Sequence, residues 1–567
     1  MFIPTTVPEM RRLGWDALDI ILVTGDSYID SPHVGVSVIG KVLLKAGYRV
    51  GIIAQPQMDS NTDIGRLGEP RLFWGISGGC VDSMVSNYTA LKKWRKSDDF
   101  TPGGVNNRRP DRAVIAYSNL IRRCFKSTCP IVLGGIEASL RRIAHYDFWS
   151  DSIRRSILFD AKADVLVYGM AERSIVELAE HLKLKKDIRD IRGLCYISKE
   201  KRSGYLELSS YTAVAADKKA FTDMFHAFYQ NGDPVTATGL CQQQDTRYLI
   251  QNPPQPYPAQ HELDEIYDLE FERNHHPFYQ KMGDVRALET IRFSISTHRG
   301  CYGECNFCAI AVHEGRTIRW RSEDSIAREA QRLSQHPDFK GIIQDAGGPT
   351  ANMYGFECPK KLKHGSCRQK RCLFPEICPQ LPVDHRPQIR LLKRLRQISG
   401  IKKVFVSSGI RYDLILADTA SGEKYLKQII DHHVSGQMKV APEHSEDPVL
   451  KAMGKPGTAS LVKFKDLFYH LTRAAGKKQF LTYYLIAAHP GCREQDMKKL
   501  NAFAVHTLKI HPEQIQIFTP TPSTYSSLMY YTERDPFTGA PVYVEKNPRR
   551  KEQQKRIMFE NKVARER

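Results

Sequence analysis

The 567-residue sequence has no run of about 20 apolar residues, so hydropathy offers no membrane-spanning helix. Its opening residues, Met1-Phe2-Ile3-Pro4, lack the basic and apolar regions of a secretory leader. Acidic residues are in deficit: 63 Asp and Glu against 83 Lys and Arg leave a net charge of +20. That excess favours polyanionic partners such as RNA, although basic residues spread along the whole chain also read as a solvated face. With 41% hydrophobic and 26% charged residues the composition is globular. The length exceeds one ordinary core, and two to four structural units are expected. Seven of the 13 cysteines fall between Cys301 and Cys378, a density that favours metal ligation in a reducing cytosol over disulfides. A cytoplasmic enzyme with no membrane partner is the expectation.

The stretch Cys301-Tyr302-Gly303-Glu304-Cys305-Asn306-Phe307-Cys308 puts three thiols within eight residues, directly after the strand-like run Ile291 to Thr297 and the Arg299-Gly300 turn. A 4Fe-4S cluster offers one coordination site per iron, so three thiolates fill three sites and leave one iron open to a non-protein ligand. The alternatives are a zinc loop, which would want a fourth ligand, with His313 the near candidate, or three unligated thiols. A loop at the carboxyl end of a strand also lies where barrel enzymes assemble their active sites.

This Cys-x3-Cys-x-aromatic-Cys spacing, with Phe307 as the aromatic, resembles the signature of the radical S-adenosylmethionine (SAM) superfamily. The resemblance implies that the open iron chelates the amino and carboxylate groups of SAM. It further implies that the reduced cluster passes one electron to the sulfonium, giving a 5'-deoxyadenosyl radical that abstracts hydrogen from a substrate. An electron donor such as flavodoxin or ferredoxin would be the partner.

Residues 1–195 alternate apolar runs with amphipathic stretches, the pattern of an α/β doubly wound, mostly parallel sheet. Strands are expected at Asp19 to Thr24, Arg49 to Ala54, Leu72 to Ile76, Ile131 to Leu133 and Asp164 to Val167, with helices at Val36 to Ala46, Val81 to Arg95, Ala113 to Lys126 and Ala171 to Leu184. Glycines at the strand ends would line a ligand crevice. This half resembles the cobalamin-binding-type domain that precedes many radical SAM domains. Related proteins ligate cobalt through Asp-x-His-x-x-Gly; here Asp30 to Gly35 sets His33 one place late and Gly35 one place early, which argues against cobalamin ligation. Residues 196–284 read as a bridging segment: a hairpin of Leu194 to Ser198 with Tyr205 to Leu208, a helix at Ala215 to Gln230, and a proline-rich linker at Asn252 to Pro258.

Residues 285–535 carry six further βα units, which predict a partial six-stranded (β/α) barrel too short to close, with a lateral opening for a large substrate. The resemblance assigns cofactor-binding candidates to its strand ends. Gly347 and Gly348 are similar to the Gly-Gly-Glu turn whose backbone holds the SAM amino group, with Pro349 in place of the acidic residue; a plain turn is the alternative. Ser407 and Arg411 would reach the SAM ribose and carboxylate, against a simple Arg411–Asp413 surface pair. Glu443 resembles the acid of the family's Glu-Ser turn, with His444 inserted before Ser445; helix capping is the alternative.

An insert at 355–385 holds Cys358, Cys367, Cys372 and Cys378 among lysines and arginines, with little apolar content. A second cluster or a zinc ion would fold it; otherwise it is a flexible basic loop. Residues 536–567 form a basic tail, read as a helix or a disordered arm able to follow phosphate backbones. The run Gly347 to Tyr354, together with the two domains, is similar to the YgiQ-type group of radical SAM proteins. The implied function is an enzyme using a 4Fe-4S cluster and SAM on an unassigned substrate, an RNA or a protein side chain. The alternative is an iron–sulfur RNA-binding or redox-sensing protein without SAM turnover.

Overall fold

The computed structural model describes residues 1–368, 371–512 and 514–559. The chain forms two compact units: Met1–Tyr257 with Glu265–Arg292, and Pro258–Asp264 with the chain from Phe293 onward. The domain break therefore falls at Arg292, and the linker contributes to both units.

The first unit is built on a nine-stranded sheet. Its five parallel strands, in spatial order Val165–Val167, Ile131–Gly134, Phe73–Ser77, Ile20–Thr24 and Val50–Ala54, pair in register. Ile20–Thr24 and Val50–Ala54 are buried at every position, as strands covered on both faces must be. In chain order this is 5-4-3-1-2, so the winding reverses between Ile20–Thr24 and Phe73–Ser77, the place where doubly wound sheets bind ligands.

The expected hairpin at 194–208 does not form. Leu194–Ser198 lies antiparallel to Val165–Val167 and to Arg247–Gln251, while Leu206–Leu208 pairs with Leu240–Gln244. The bridging segment thus extends the sheet by a hairpin, Leu240–Gln251, that has no apolar alternation to announce it. Three of its glutamines are buried with their carbonyls satisfied: Gln242 Oε1 accepts from Ala144 N–H at 3.1 Å, Gln244 Oε1 from Ser156 N–H at 3.0 Å, and Gln251 Oε1 from Arg142 Nε at 3.1 Å. The helix expected over Val81 to Arg95 is only Ser83–Asn87, because Tyr88 leaves the helical region and bridges to Trp94.

In the second unit six strands, the second of them in two segments, follow one another around a single core. Ser294–Ser296 pairs with Asp345–Gly347, Ile342–Ile343 with Lys403–Val404, Gln437–Glu443 with Phe480–Ala487, and that strand with Gln516–Ile517, all parallel. An Ile410–Val440 bridge joins the third strand to the fourth. Among the described residues the first and last strands do not pair, so the barrel is partial, as expected. Helices Glu323–Ser334, Arg386–Arg396, Gly422–His432 and Ala459–Ala474 cover it, turning Ile326, Leu391, Leu392, Ile429 and Phe464 into the core.

One part departs from expectation, and in another the structure takes one of two expected forms. The Cys-rich insert is not devoid of apolar support: Phe356, Cys358, Leu373 and Leu381 share a small core with Tyr302, Ile318, Met353 and Leu414. The basic tail is a helix, Pro548–Ile557, capped by Asn547, with Lys551, Gln554 and Ile557 buried. Gln554 Oε1 accepts from Ala488 N–H at 3.0 Å, so this segment is barrel wall up to the last described residues; the end of the basic tail, 560–567, lies outside them.

Candidate metal centre

The thiol loop leaves the first barrel strand and is closed at its base by a short antiparallel ladder, His298 opposite Trp320 and Arg299 opposite Arg319. Gly300 turns the chain at φ 81°, and a Cβ there would lie 2.6 Å from the Thr317 carbonyl oxygen, so glycine is required. Asn306 then pins the loop: its N–H donates to Met453 O at 2.8 Å, its Nδ2 to Ala452 O at 2.8 Å, and its carbonyl accepts from Ser526 N–H at 2.9 Å. Those partners sit on helices that follow the fourth and sixth strands, so barrel assembly fixes the loop.

Cys301 Sγ accepts from Gly303 N–H at 3.3 Å and lies 3.5 Å from Thr350 Oγ1 and 4.0 Å from Met353 Sδ. A Cβ built on Gly303 would stand 3.2 Å from Cys301 Sγ, 3.6 Å from Cys305 Sγ and 3.7 Å from Arg411 Nη1. Two sulfurs and a guanidinium thus surround a space that a side chain would fill. Burial pushes the Cys301 thiol up, opposed by the Thr350 hydroxyl, and pushes Cys308 up further. Such thiols ionise when a metal displaces the proton. Cys308 lies within electrostatic reach of both Cys301 and Cys305, and three thiolates alone leave a structural zinc site one ligand short. A cluster takes each thiolate on a different iron, so this set of soft donors suits 4Fe-4S.

Beside the loop lies a buried polar group. Arg411 Nε donates to Asp413 Oδ1 at 2.8 Å and Nη2 to Oδ2 at 2.5 Å, a bidentate pair. The pair is buried, not on the surface. Asn352 brackets the backbone of Arg411, accepting its N–H at 2.8 Å and donating to its carbonyl at 2.9 Å. Glu443, 3.8 Å from Lys455 Nζ, is within electrostatic reach of Cys308 and Arg411, and burial raises its carboxyl. It sits at φ 69°, one of 14 described non-glycine residues in the left-handed region, among them Glu304 at φ 43° in the thiol loop. Each such residue costs on the order of 1 kcal/mol, and such strain concentrates at functional sites.

The remaining candidates make these contacts within the fold. Gly347 O accepts from Thr297 N–H at 2.7 Å and Thr297 Oγ1 at 3.1 Å, while a Cβ on Gly348 would meet the His298 ring at 2.6 Å. Ser407 Oγ donates to Gln344 O at 2.6 Å and its N–H to Asp345 Oδ1 at 2.8 Å. Thr350, Asn352, Met353 and Lys455 join the site without having been singled out for a role. The first three lay inside the Gly347 to Tyr354 run, which was read only as a family mark; a lone lysine after a helix carries no signal.

In the first unit the carboxyl ends at the reversal point are filled by the chain itself. Arg109 bridges Asp26 at 2.7 Å and Asp98 at 2.9 Å and donates to Gly78 O at 2.8 Å. A Cβ on Gly79 would lie 2.2 Å from Asp26 Oδ1, and one on Gly78 would lie 2.3 Å from Glu137 Oε2. Asp30, the first residue of the displaced cobalt-ligand pattern, is buried against Lys41 at 3.1 Å, and His33 precedes the helix that starts at Gly35. These residues do not fit a cobalamin site.

The chain matches two family models, described as Radical SAM N-terminal over residues 2–294 and Radical SAM superfamily over residues 295–504. The UPF0313 protein FN0734 of Fusobacterium nucleatum subsp. nucleatum is 58% identical over 565 residues, covering 100% of both chains. A UPF0313 protein of Thermotoga maritima is 47% identical across 99% of each chain. Among solved structures, the radical SAM methyltransferase TsrM from Kitasatospora setae, with cobalamin and a [4Fe-4S] cluster bound, aligns at TM-score 0.53 and 13% identity over 91% of this chain and 74% of that one, a likeness of fold. No described helix is long and apolar enough to cross a membrane. With the thiol loop, the partial barrel and these relatives in agreement, the chain belongs to the UPF0313 family and is a radical SAM enzyme.

Proposed function

We propose that Cys301, Cys305 and Cys308 hold a 4Fe-4S cluster whose open iron binds SAM, and that the enzyme acts on a large substrate, an RNA or a protein side chain. When bound, the cluster supplies one electron for reductive cleavage of SAM, yielding 5'-deoxyadenosine once hydrogen has been taken from the substrate. The observation that carries this reading is the meeting of the three loop thiols with the buried Arg411–Asp413 and Glu443–Lys455 pairs at one end of the barrel. Arg411 places a fixed positive charge beside the loop, suited to the carboxylate of SAM. Glu443 offers an acceptor for ribose hydroxyls. Asn352 and Asp413 hold Arg411 in place, and Thr350 and Met353 shield Cys301.

The large substrate is supported by the incomplete barrel and the net charge of +20. A flavodoxin or ferredoxin would supply the electron. The first unit, with its crevice filled, is read as a structural partner domain and not as a cobalamin carrier. The test is anaerobic reconstitution followed by a dithionite assay for 5'-deoxyadenosine. The parent protein should form it and the Cys301→Ala, Cys305→Ala, Cys308→Ala triple variant should not. A reconstituted protein that binds iron yet forms none would instead favour an iron–sulfur sensor without SAM turnover.

A further inference from the structure

The insert between the second and third barrel strands brings a second set of thiols to the neighbourhood of the same loop. Cys358 is buried and Cys372 and Cys378 are half-buried, whereas Cys367 is exposed. The first three belong to one small cluster that also contains Tyr302, Met353 and Cys301, and Cys367 does not. Cys378 N–H donates to Cys372 O at 2.8 Å, which folds the two back on each other. Tyr302, the residue after Cys301, is fully buried and lies within electrostatic reach of Cys372. Its ring stacks on Phe356 with centroids 6.1 Å apart.

A second observation points independently to an anionic group. Lys361 is only 2% exposed, and its ammonium lies 3.8 Å from Cys372 Sγ and 5.3 Å from the centre of the Tyr302 ring. Its one oxygen partner is the neutral carbonyl of Arg316, and among the described residues no carboxylate pairs with it. A buried cation without a counter-charge is costly, and the polarisable atoms around it are sulfurs. Metal-bound thiolates would supply the missing negative charge.

The choice of metal follows from the arrangement. Cys372 lies within electrostatic reach of both Cys358 and Cys378, and with Cys367 exposed the insert gathers three thiols where a closed zinc site takes four ligands. The same is true of Cys301, Cys305 and Cys308, whose thiolates suit separate irons. We propose that Cys358, Cys372 and Cys378 hold a second iron–sulfur cluster, in the neighbourhood of the first loop, with Lys361 as its counter-charge and Cys367 outside the ligand set. This rests on the radical SAM reading only for the identity of its neighbour.

Anaerobic reconstitution with iron and sulfide tests it. The Cys301→Ala, Cys305→Ala, Cys308→Ala variant should retain about four irons and as many sulfides. The Cys358→Ala, Cys372→Ala, Cys378→Ala variant should lose that amount while its remaining paramagnetic signal still changes on adding SAM, which also reports that the barrel is folded. Cys367→Ala should keep the full content. In the first variant, Lys361→Gln should lower the reduction potential of the retained cluster, because a positive charge beside it is gone. If the first variant is free of iron, or holds zinc without sulfide, the second cluster does not exist; if Cys367→Ala loses iron as well, the three-thiol ligand set is wrong. Loss of the SAM-responsive signal from the parent, with iron retained in the first variant, would overturn the main reading and leave this one standing.

Discussion

Arg411 and Asp413 are two residues apart on one turn, and both oxygens of the Asp413 carboxylate grip the guanidinium, at 2.8 and 2.5 Å, while Arg411 Nη1 lies 3.7 Å from the first atom that a Gly303 side chain would add. The pair therefore aims a fixed positive charge at the thiol loop. Asp413→Ala would leave that charge buried and unpaired, which costs about 3–5 kcal/mol. Denaturant unfolding of the metal-free protein should show the loss, and SAM binding to the reconstituted protein should weaken. An unchanged unfolding midpoint would mean that water or another group already satisfies Arg411.

Gly348 touches the site through one neighbour. A methyl group there would enter within 2.6 Å of the His298 ring, whose Nε2 meets Thr350 O at 3.0 Å, and Thr350 in turn faces Cys301. Gly348→Ala should lower stability by about 1–3 kcal/mol and reduce iron retention. Gly409→Ala, with nothing within 4 Å of its added carbon, is the control and should stay within about 0.5 kcal/mol of the parent. Equal effects at the two glycines would refute the His298 route.

Acid should destabilise the protein well above the carboxylate range. Burial holds His298 and His433 down to about 4, against 6.5 for a free imidazole. Their folded-state values are depressed, so the unfolded chain binds protons first. The stability they contribute is fully present above pH 6.5 and is lost as pH falls through about 4, on the order of 3 kcal/mol each. Unfolding free energies of the metal-free protein should decline between pH 6.5 and 4.5. A flat profile across that window contradicts their being buried and neutral.

Cobalamin should not bind. Because Asp26, Arg109 and Glu137 occupy the crevice at the reversal point of the first sheet, protein incubated with hydroxocobalamin and desalted should carry no corrinoid absorbance. Stoichiometric corrinoid would show that these ion pairs open, and would make methyl transfer the leading reaction.

By itself the sequence determined what depends on local spacing. The three thiols, the glycine-marked strand ends and six βα repeats were legible because strand periodicity, turn chemistry and ligand spacing act over a few residues. The α/β class and the partial barrel followed from them. Tertiary structure decided whatever depends on which distant groups meet. The Leu240–Gln251 hairpin escaped notice because Gln242, Gln244 and Gln251 are buried among its apolar residues, stabilised by partners such as Arg142, Ala144 and Ser156 roughly 90 to 110 positions away and not by apolar alternation. The basic tail was left open between a helix and a disordered arm because its charges mask Gln554 and Ile557, which seat the helix against the barrel. Ser407 and Gly347 hydrogen-bond within the fold to partners that their residue types did not announce, whereas Asn352 and Lys455 had no local signature and are placed at the site by the fold. A side chain's chemistry can be read from the sequence, but whether it is free to use that chemistry is fixed only when the backbone around it has taken its hydrogen bonds.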